Sequence, residues 1–312
     1  MRKLWIGCFI LTAVAFLLQV PLIPRVFLMF LFAPYWSVFT INLGFALMIL
    51  DWLVGSLPKR LLIFPAIWFV GYAAAAGISH FEAQKLAAEV LSENSGQFLP
   101  FDAQRDQLLI EPDSLRQDTA FSIEGLMENY DLSTVYQRFD GNPKCPNVRM
   151  VSLRSSGCGK GADVVDKDIN GCPTLTNSIS RWDGPYIQFL KSVCWVYAPV
   201  QSFTPTVTLK RASVQAVNSW TLEGRMETFD IKRENEETIS VKAGIVVPLA
   251  WFPLPLIGCA VGAREQGCRF QFIRTEVIRL GSEADRGANG AVARALKLPP
   301  APLSARFPEP SG

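Results

Sequence analysis

Three stretches near the N-terminus are apolar at almost every position, and their length decides what they can do. Crossing a hydrocarbon core of roughly 30 Å takes about 20 residues of helix rising 1.5 Å each. Leu4 to Ile23 and Leu61 to Ser79 carry no charge, and Trp36 to Val54 carries one acid, Asp51. The pattern predicts an anchor of three transmembrane helices over residues 4–23, 36–54 and 61–79. Between the first two lie Pro21 and Pro24, which interrupt a helix, then Phe27, Phe30, Phe32, Tyr35 and Trp36, which suit an interfacial aromatic belt.

Beyond Ser79 the periodicity changes. Ala83, Leu86, Ala87, Val90 and Leu91 recur at helical spacing, so the third helix is expected to run on and stop near Asn94-Ser-Gly96. Residues 97–140 are mixed and receive no assignment. Residues 141–185 are rich in Gly, Pro, Asn and Asp, hold Cys145, Cys158 and Cys172, and read as a stapled loop region. Strands are predicted over Val207–Val214, Trp220–Ile231, Thr238–Val247, Leu256–Val261 and Arg269–Leu280, with the charged run at 232–237 as a solvated turn. A short helix is expected near Ala291–Lys297, and the proline-rich residues 299–312 are expected to be disordered.

One stretch fits two templates. Residues 243–263 carry no charge and are long enough to form a fourth span. Pro248, Pro253 and Pro255 remove three amide donors, and a span would leave Cys268 on the opposite side from the other cysteines. A β-hairpin with an apolar loop accounts for both facts and is the preferred reading. The fold class expected is a membrane α anchor of three helices, with this candidate fourth, followed by an extracytoplasmic, disulfide-stapled, β-rich α+β domain over 80–298.

Charge fixes the orientation. The first 79 residues hold only Arg2, Lys3, Arg25, Asp51, Lys59 and Arg60, against 58 charged residues in the 312-residue chain. Arg2, Lys3, Lys59 and Arg60 flank one side and Arg25 the other, so the positive-inside rule makes the four-residue side cytoplasmic. Three spans then deliver the domain to the outer face of the plasma membrane, the periplasm in a Gram-negative cell. Ala13-Val-Ala15 imitates a signal-peptidase site, but the apolar run continues through Ile23, which argues against cleavage. A net charge of +2 gives no reason to expect nucleic acid as a partner.

Seven cysteines are present. Cys8 lies in the first span, and Cys145, Cys158, Cys172, Cys194, Cys259 and Cys268 lie in the domain placed outside. An even six in an oxidising compartment points to three disulfides, with fifteen pairings open. The turn-like Gly262–Gly267 between two strands favours Cys259 with Cys268. No C-x-x-C occurs, and His80 is the sole histidine, which leaves zinc, haem and Ser-His or Cys-His mechanisms without their ligands or base.

Four features carry candidate chemistry. Asp166-Lys-Asp168-Ile-Asn170-Gly171 reproduces the first half of a calcium loop, with oxygens at alternate positions before a glycine. Asn177 stands where the bidentate Glu belongs, and Asn-Gly is itself a hairpin-turn signal, so a turn outweighs a Ca²⁺ site. Asp51 is the only acid within a span, eight residues before Lys59. His80 sits where the third span leaves the membrane. Gly71, Ala73, Ala75 and Gly77 set small residues four apart, which lets another helix approach closely, from the same bundle or from a partner. The expected function is a non-catalytic membrane subunit or assembly factor whose partner is another membrane protein or a second copy. The alternatives are an extracytoplasmic ion- or ligand-binding module and a membrane-anchored enzyme.

Overall fold

A computed structural model describes residues 4–17, 33–111, 121–138, 147–154, 164–168, 172–178, 193–201, 203–258, 269–282 and 287–306. The chain divides into two compact units, one of residues 1–85, 218–223 and 246–278, the other of residues 86–217, 224–245 and 279–312.

The first unit is built on α1 (Leu4–Leu17), α2 (Ala33–Leu53) and the start of α3 (Lys59–Asn94). Among the described residues two helical segments, Trp36–Leu53 and Lys59–Asn94, are long and apolar enough to cross a membrane. Two of the three expected spans are thus found among the described residues; of the expected first span, 4–23, α1 covers 14 residues, about 21 Å of helix against roughly 30 Å of hydrocarbon, and 18–32 lie outside the described residues. Helices α1 and α2 run antiparallel, since Thr12 meets Thr40 and, farther back along α1, Phe9 meets Gly44 and Phe45. The Thr12 and Thr40 hydroxyls lie 2.5 Å apart and buried; Thr12 also donates to Cys8 O and Thr40 to Trp36 O. A Cβ at Gly44 would come within 3.0 Å of the Phe9 ring, so glycine there is a condition of the close approach.

Helix α3 is compound. Lys59–Leu62 is 3₁₀, Ile63–Ala66 is α, Ile67–Gly71 is a π segment, and Tyr72–Asn94 is α. A π turn adds a residue to the helical turn and re-aims the side chains on either side of it. Here Trp68 stacks on Phe45 with centroids 5.1 Å apart. The helix continues past the apolar stretch and ends at Asn94, as the Asn94-Ser-Gly96 signal predicts.

Among its described residues, 243–258, the candidate fourth span is strand at both ends and irregular over 248–254, with no helix. Its first residues belong to β9 (Ile239–Val247), and β10 (Pro255–Gly258) pairs antiparallel with β11 (Arg269–Phe272), with Pro255 opposite Phe272 and Gly258 opposite Arg269. The single strand expected over Arg269–Leu280 is split into β11 and β12 (Ile278–Leu280).

The second unit is α+β, a large mixed sheet with helices packed on it. Strand order is β12-β9-β8-β7-β1-β2-β3-β6-β5-β4. Here β1 is Leu108–Ile110, β2 Thr134–Arg138, β3 Val148–Arg154, β4 Val164–Asp168, β5 Cys172–Ser178, β6 Cys194–Pro199, β7 Val207–Asn218 and β8 Glu223–Arg233. Strand β1 runs parallel to both neighbours, and the β2-β3-β6-β5-β4 half is antiparallel throughout. The region read as stapled loop thus contains three strands. They are short and weakly patterned; β4 pairs with β5 as a hairpin, while β3 and β5 each gain a ladder from β6.

Two helices, α4 (Ile123–Asn129) and α5 (Gly287–Ala295), cover this core. Ser122 caps α4 by accepting from Gly125 N. Leu126, Met127, Val292 and Leu296 join Val135, Leu209, Phe229 and Ile231 in one buried cluster.

The tail expected to be disordered from residue 299 is ordered as far as Arg306. Asp131 N donates to Pro299 O, Ala301 N donates to Asn129 O, and a short helix, α6, covers Leu303–Arg306. The Arg306 guanidinium donates to Met127 O, Leu132 O and Tyr130 O and faces Asp131. Prolines 299, 300 and 302 need no donor partner, so a few carbonyl contacts and one arginine suffice to hold the segment. Burial lowers the Arg306 pKa from its ordinary value, an effect the Asp131 charge opposes.

Candidate functional site

Two polar clusters in the first unit hold its non-helical segments onto its helices. The first sits within the apolar part of the bundle. Ser37 Oγ donates to Pro255 O at 2.8 Å, and Asn42 Nδ2 donates to Val38 O at 2.7 Å and Pro253 O at 2.8 Å. Trp68 Nε1 donates to Asn42 Oδ1 at 2.9 Å. Among such apolar side chains an unpaired backbone amide or carbonyl is costly. Prolines 253 and 255 withdraw two donors, and Ser37 and Asn42 supply the carbonyls with partners. Phe272 of β11 then packs on Tyr72 at 4.7 Å and Trp68 at 6.0 Å. The prolines that argue against a span are the residues that let this segment lie against one.

The second cluster surrounds Ser79 and His80. Ser79 Oγ donates to Thr221 O and accepts from Leu249 N, both at 2.9 Å. His80 is buried. Its Nε2 lies 3.0 Å from Leu249 O and its Nδ1 3.7 Å from Glu276 Oε2. The indole of Trp251 stacks on the imidazole at 4.3 Å, with planes 14° apart. Arg274 donates through Nη1 to Thr221 O and to Val247 O (2.8 Å for the latter), and its Nε faces Glu223 at 3.4 Å. Thr221 Oγ1 donates to Glu82 at 2.5 Å.

Both nitrogens of His80 face acceptors, and a neutral ring can donate to only one of them. The cluster fixes the Leu249–Trp251 segment on the helix. The hydroxyls of Ser79 and Thr221 are engaged in these bonds.

The other residues singled out are placed as follows. Asp51 is buried, whereas Lys59 and Arg60 are exposed. Gly71 and Ala73 are exposed and Ala75 and Gly77 partly so, while Tyr72, Ala76, Ser79 and His80 take the face packed on the chain itself. Asp166 and Asp168 lie in β4, extended and paired with Thr174 and Cys172 in a hairpin, and Asn170 lies outside the described residues. Among the described residues no group of three His, Cys, Asp or Glu is placed to hold a metal ion.

Cys8 carries a free thiol, and Cys194 is disulfide-bonded to a partner whose side chain is not among those described. Cys145, Cys158, Cys259 and Cys268 lie outside the described residues, and of Cys172 only the backbone position is described.

Sequence reasoning passed over Ser37, Asn42, Thr221 and Arg274. An asparagine inside an apolar 21-residue helix is a legible signal, because a buried amide in hydrocarbon requires partners. Arg274 has no such signal, since its acceptors are backbone carbonyls.

No family model matches the chain, and no curated protein and no solved structure matches it.

Proposed function

We propose that the chain is a non-catalytic, multi-pass membrane subunit or assembly factor, presenting its disulfide-containing α+β domain on the outer face of the plasma membrane. In this reading α3 docks another membrane protein through Gly71, Ala73, Ala75 and Gly77. The observation that carries it is where those residues point. A Cβ at Gly77 would meet nothing within 4 Å, and one at Gly71 would meet only Ile67 of the same helix. Glycine in a helix interior costs about 1 kcal/mol relative to alanine, and nothing packed there among the described residues requires it at either position. Close helix approach by a second protein would supply the reason. The outward placement of the domain rests on Arg2, Lys3, Lys59 and Arg60.

Purification of tagged full-length protein in mild detergent, with mass spectrometry of co-eluting chains, tests the reading. A stoichiometric membrane partner is expected, and it should be lost from Gly71→Leu and Gly77→Leu. A wild-type protein that elutes alone, or a partner retained by both variants, overturns docking through α3.

A further inference from the structure

The strongest unassigned feature is a pair of neighbouring grooves that share one residue. The first has a volume of about 330 Å³ and is lined by Phe45, Phe64, Ile67, Trp68, Tyr72 and Phe272. Phe64 and Ile67 are more than half exposed, so it opens on the outer side of α3. The second, of about 350 Å³, also uses Phe272 and adds Gln271, Arg274 and Glu223. One is apolar and aromatic, and its neighbour carries a cation, an amide and a carboxylate.

One unspent donor and one cation lie along this pair. The Tyr72 hydroxyl is buried and has no hydrogen-bond partner among the described residues. The Arg274 side chain is 11 % exposed, its Nη1 donating to two carbonyls and its Nε facing Glu223. A ligand bringing an acceptor would satisfy the Tyr72 hydroxyl, whose burial unpaired is costly. Arginine forks suit phosphate oxygens, and Glu223, at 62 % exposure, is free to swing aside.

We propose that the paired grooves form a phospholipid site, with one acyl chain against Trp68 and Phe272 and the phosphodiester at Arg274. The occupant is a lipid of the surrounding bilayer. The apolar groove lies on a helix long and apolar enough to span, and an amphiphile matches one apolar and one charged compartment in contact. The π segment Ile67–Gly71 contributes Ile67 and Trp68 to the wall, where an uninterrupted α-helix would present them differently. The inference rests on the membrane reading above.

The test is native mass spectrometry of delipidated full-length protein titrated with phosphatidylglycerol. Wild type should retain one lipid through activation that strips annular lipid. Arg274→Gln should weaken retention roughly tenfold, as loss of a charge-assisted contact does. Ile67→Trp, which narrows the apolar groove and leaves the Arg274 bonds intact, should weaken it as well, covering the case in which Arg274→Gln fails to fold. Equal retention by wild type and both variants overturns the proposal. So does protection by inorganic phosphate alone without lipid retention. Release of the protein from membranes by alkaline carbonate would instead overturn the membrane reading itself, which makes the two failures distinguishable.

Discussion

The rings of His80 and Trp251 stack at 4.3 Å with planes 14° apart, and through this contact a residue late in the chain is fixed on a helix that begins near residue 59. His80 also meets Leu249 O, and the adjacent Ser79 receives Leu249 N. A strand-forming, proline-rich segment is thus held to a helix at two consecutive helical residues.

Removing the ring should loosen that attachment. His80→Ala loses the stack and a buried hydrogen bond and should destabilise by about 2–4 kcal/mol, whereas His80→Phe keeps the stack and should lose roughly half as much. Thermal unfolding in detergent measures both. Equal melting of the alanine variant and wild type would show that the contact contributes nothing.

Within the bundle, Asn42→Leu leaves Pro253 O and Trp68 Nε1 both without their partner. The expected cost is about 2–4 kcal/mol, more than for a solvated asparagine, because the apolar side chains around it offer no substitute. Thr12→Val removes a single interhelical contact and should cost nearer 0.6 kcal/mol. Denaturant titration in mixed micelles ranks the two, and the reverse order contradicts the assignment of Asn42 as the tether.

Alkaline pH should unfold the second unit through Tyr197. Burial pushes its pKa well above the ordinary value of 10, and the Glu124 carboxylate, which accepts from the phenol at 2.9 Å, pushes it further. Arg149, 4.7 Å from the ring centroid, acts the other way. The folded phenol holds its proton above pH 10 while the unfolded one releases it, so the folded state binds more protons and stability falls as pH rises past 10. Below pH 10 the stabilisation is complete. Tyr197→Phe should flatten the decline between pH 10 and 12 in urea titrations, and an unchanged slope would show that another group governs it.

Cysteine chemistry gives a covalent test. Gly258 stands opposite Arg269, and the next residue outward on each arm is Cys259 and Cys268. Non-reducing peptide mapping is expected to recover a Cys259–Cys268 link, and alkylation of the denatured, unreduced protein should modify one thiol, Cys8. Five or more modified thiols would place the domain in a reducing compartment.

Much of this architecture is legible in local pattern. The second and third apolar stretches, the helix stop at Asn94, and strands β7, β8 and β9 follow from periodicity and turn residues, because those signals are set by near neighbours. The turn before β9 is visible too: Asn235 takes φ 65°, a conformation asparagine tolerates.

Tertiary structure decided the rest. Strands β3 and β5 alternate weakly, and each takes its place in the sheet through β6, which pairs with both. The parallel placement of β1 between β2 and β7, and the order brought to residues 299–306 by Arg306, depend on backbone carbonyls that every residue possesses and no side-chain pattern announces. The sequence by itself determined the apolar stretches, the helical run to Asn94 and the extended segments from Val207 onward. Where Pro253 and Pro255 rest, and that Ser37, Asn42 and His80 hold their segment, was settled by the partners that buried polar groups must find.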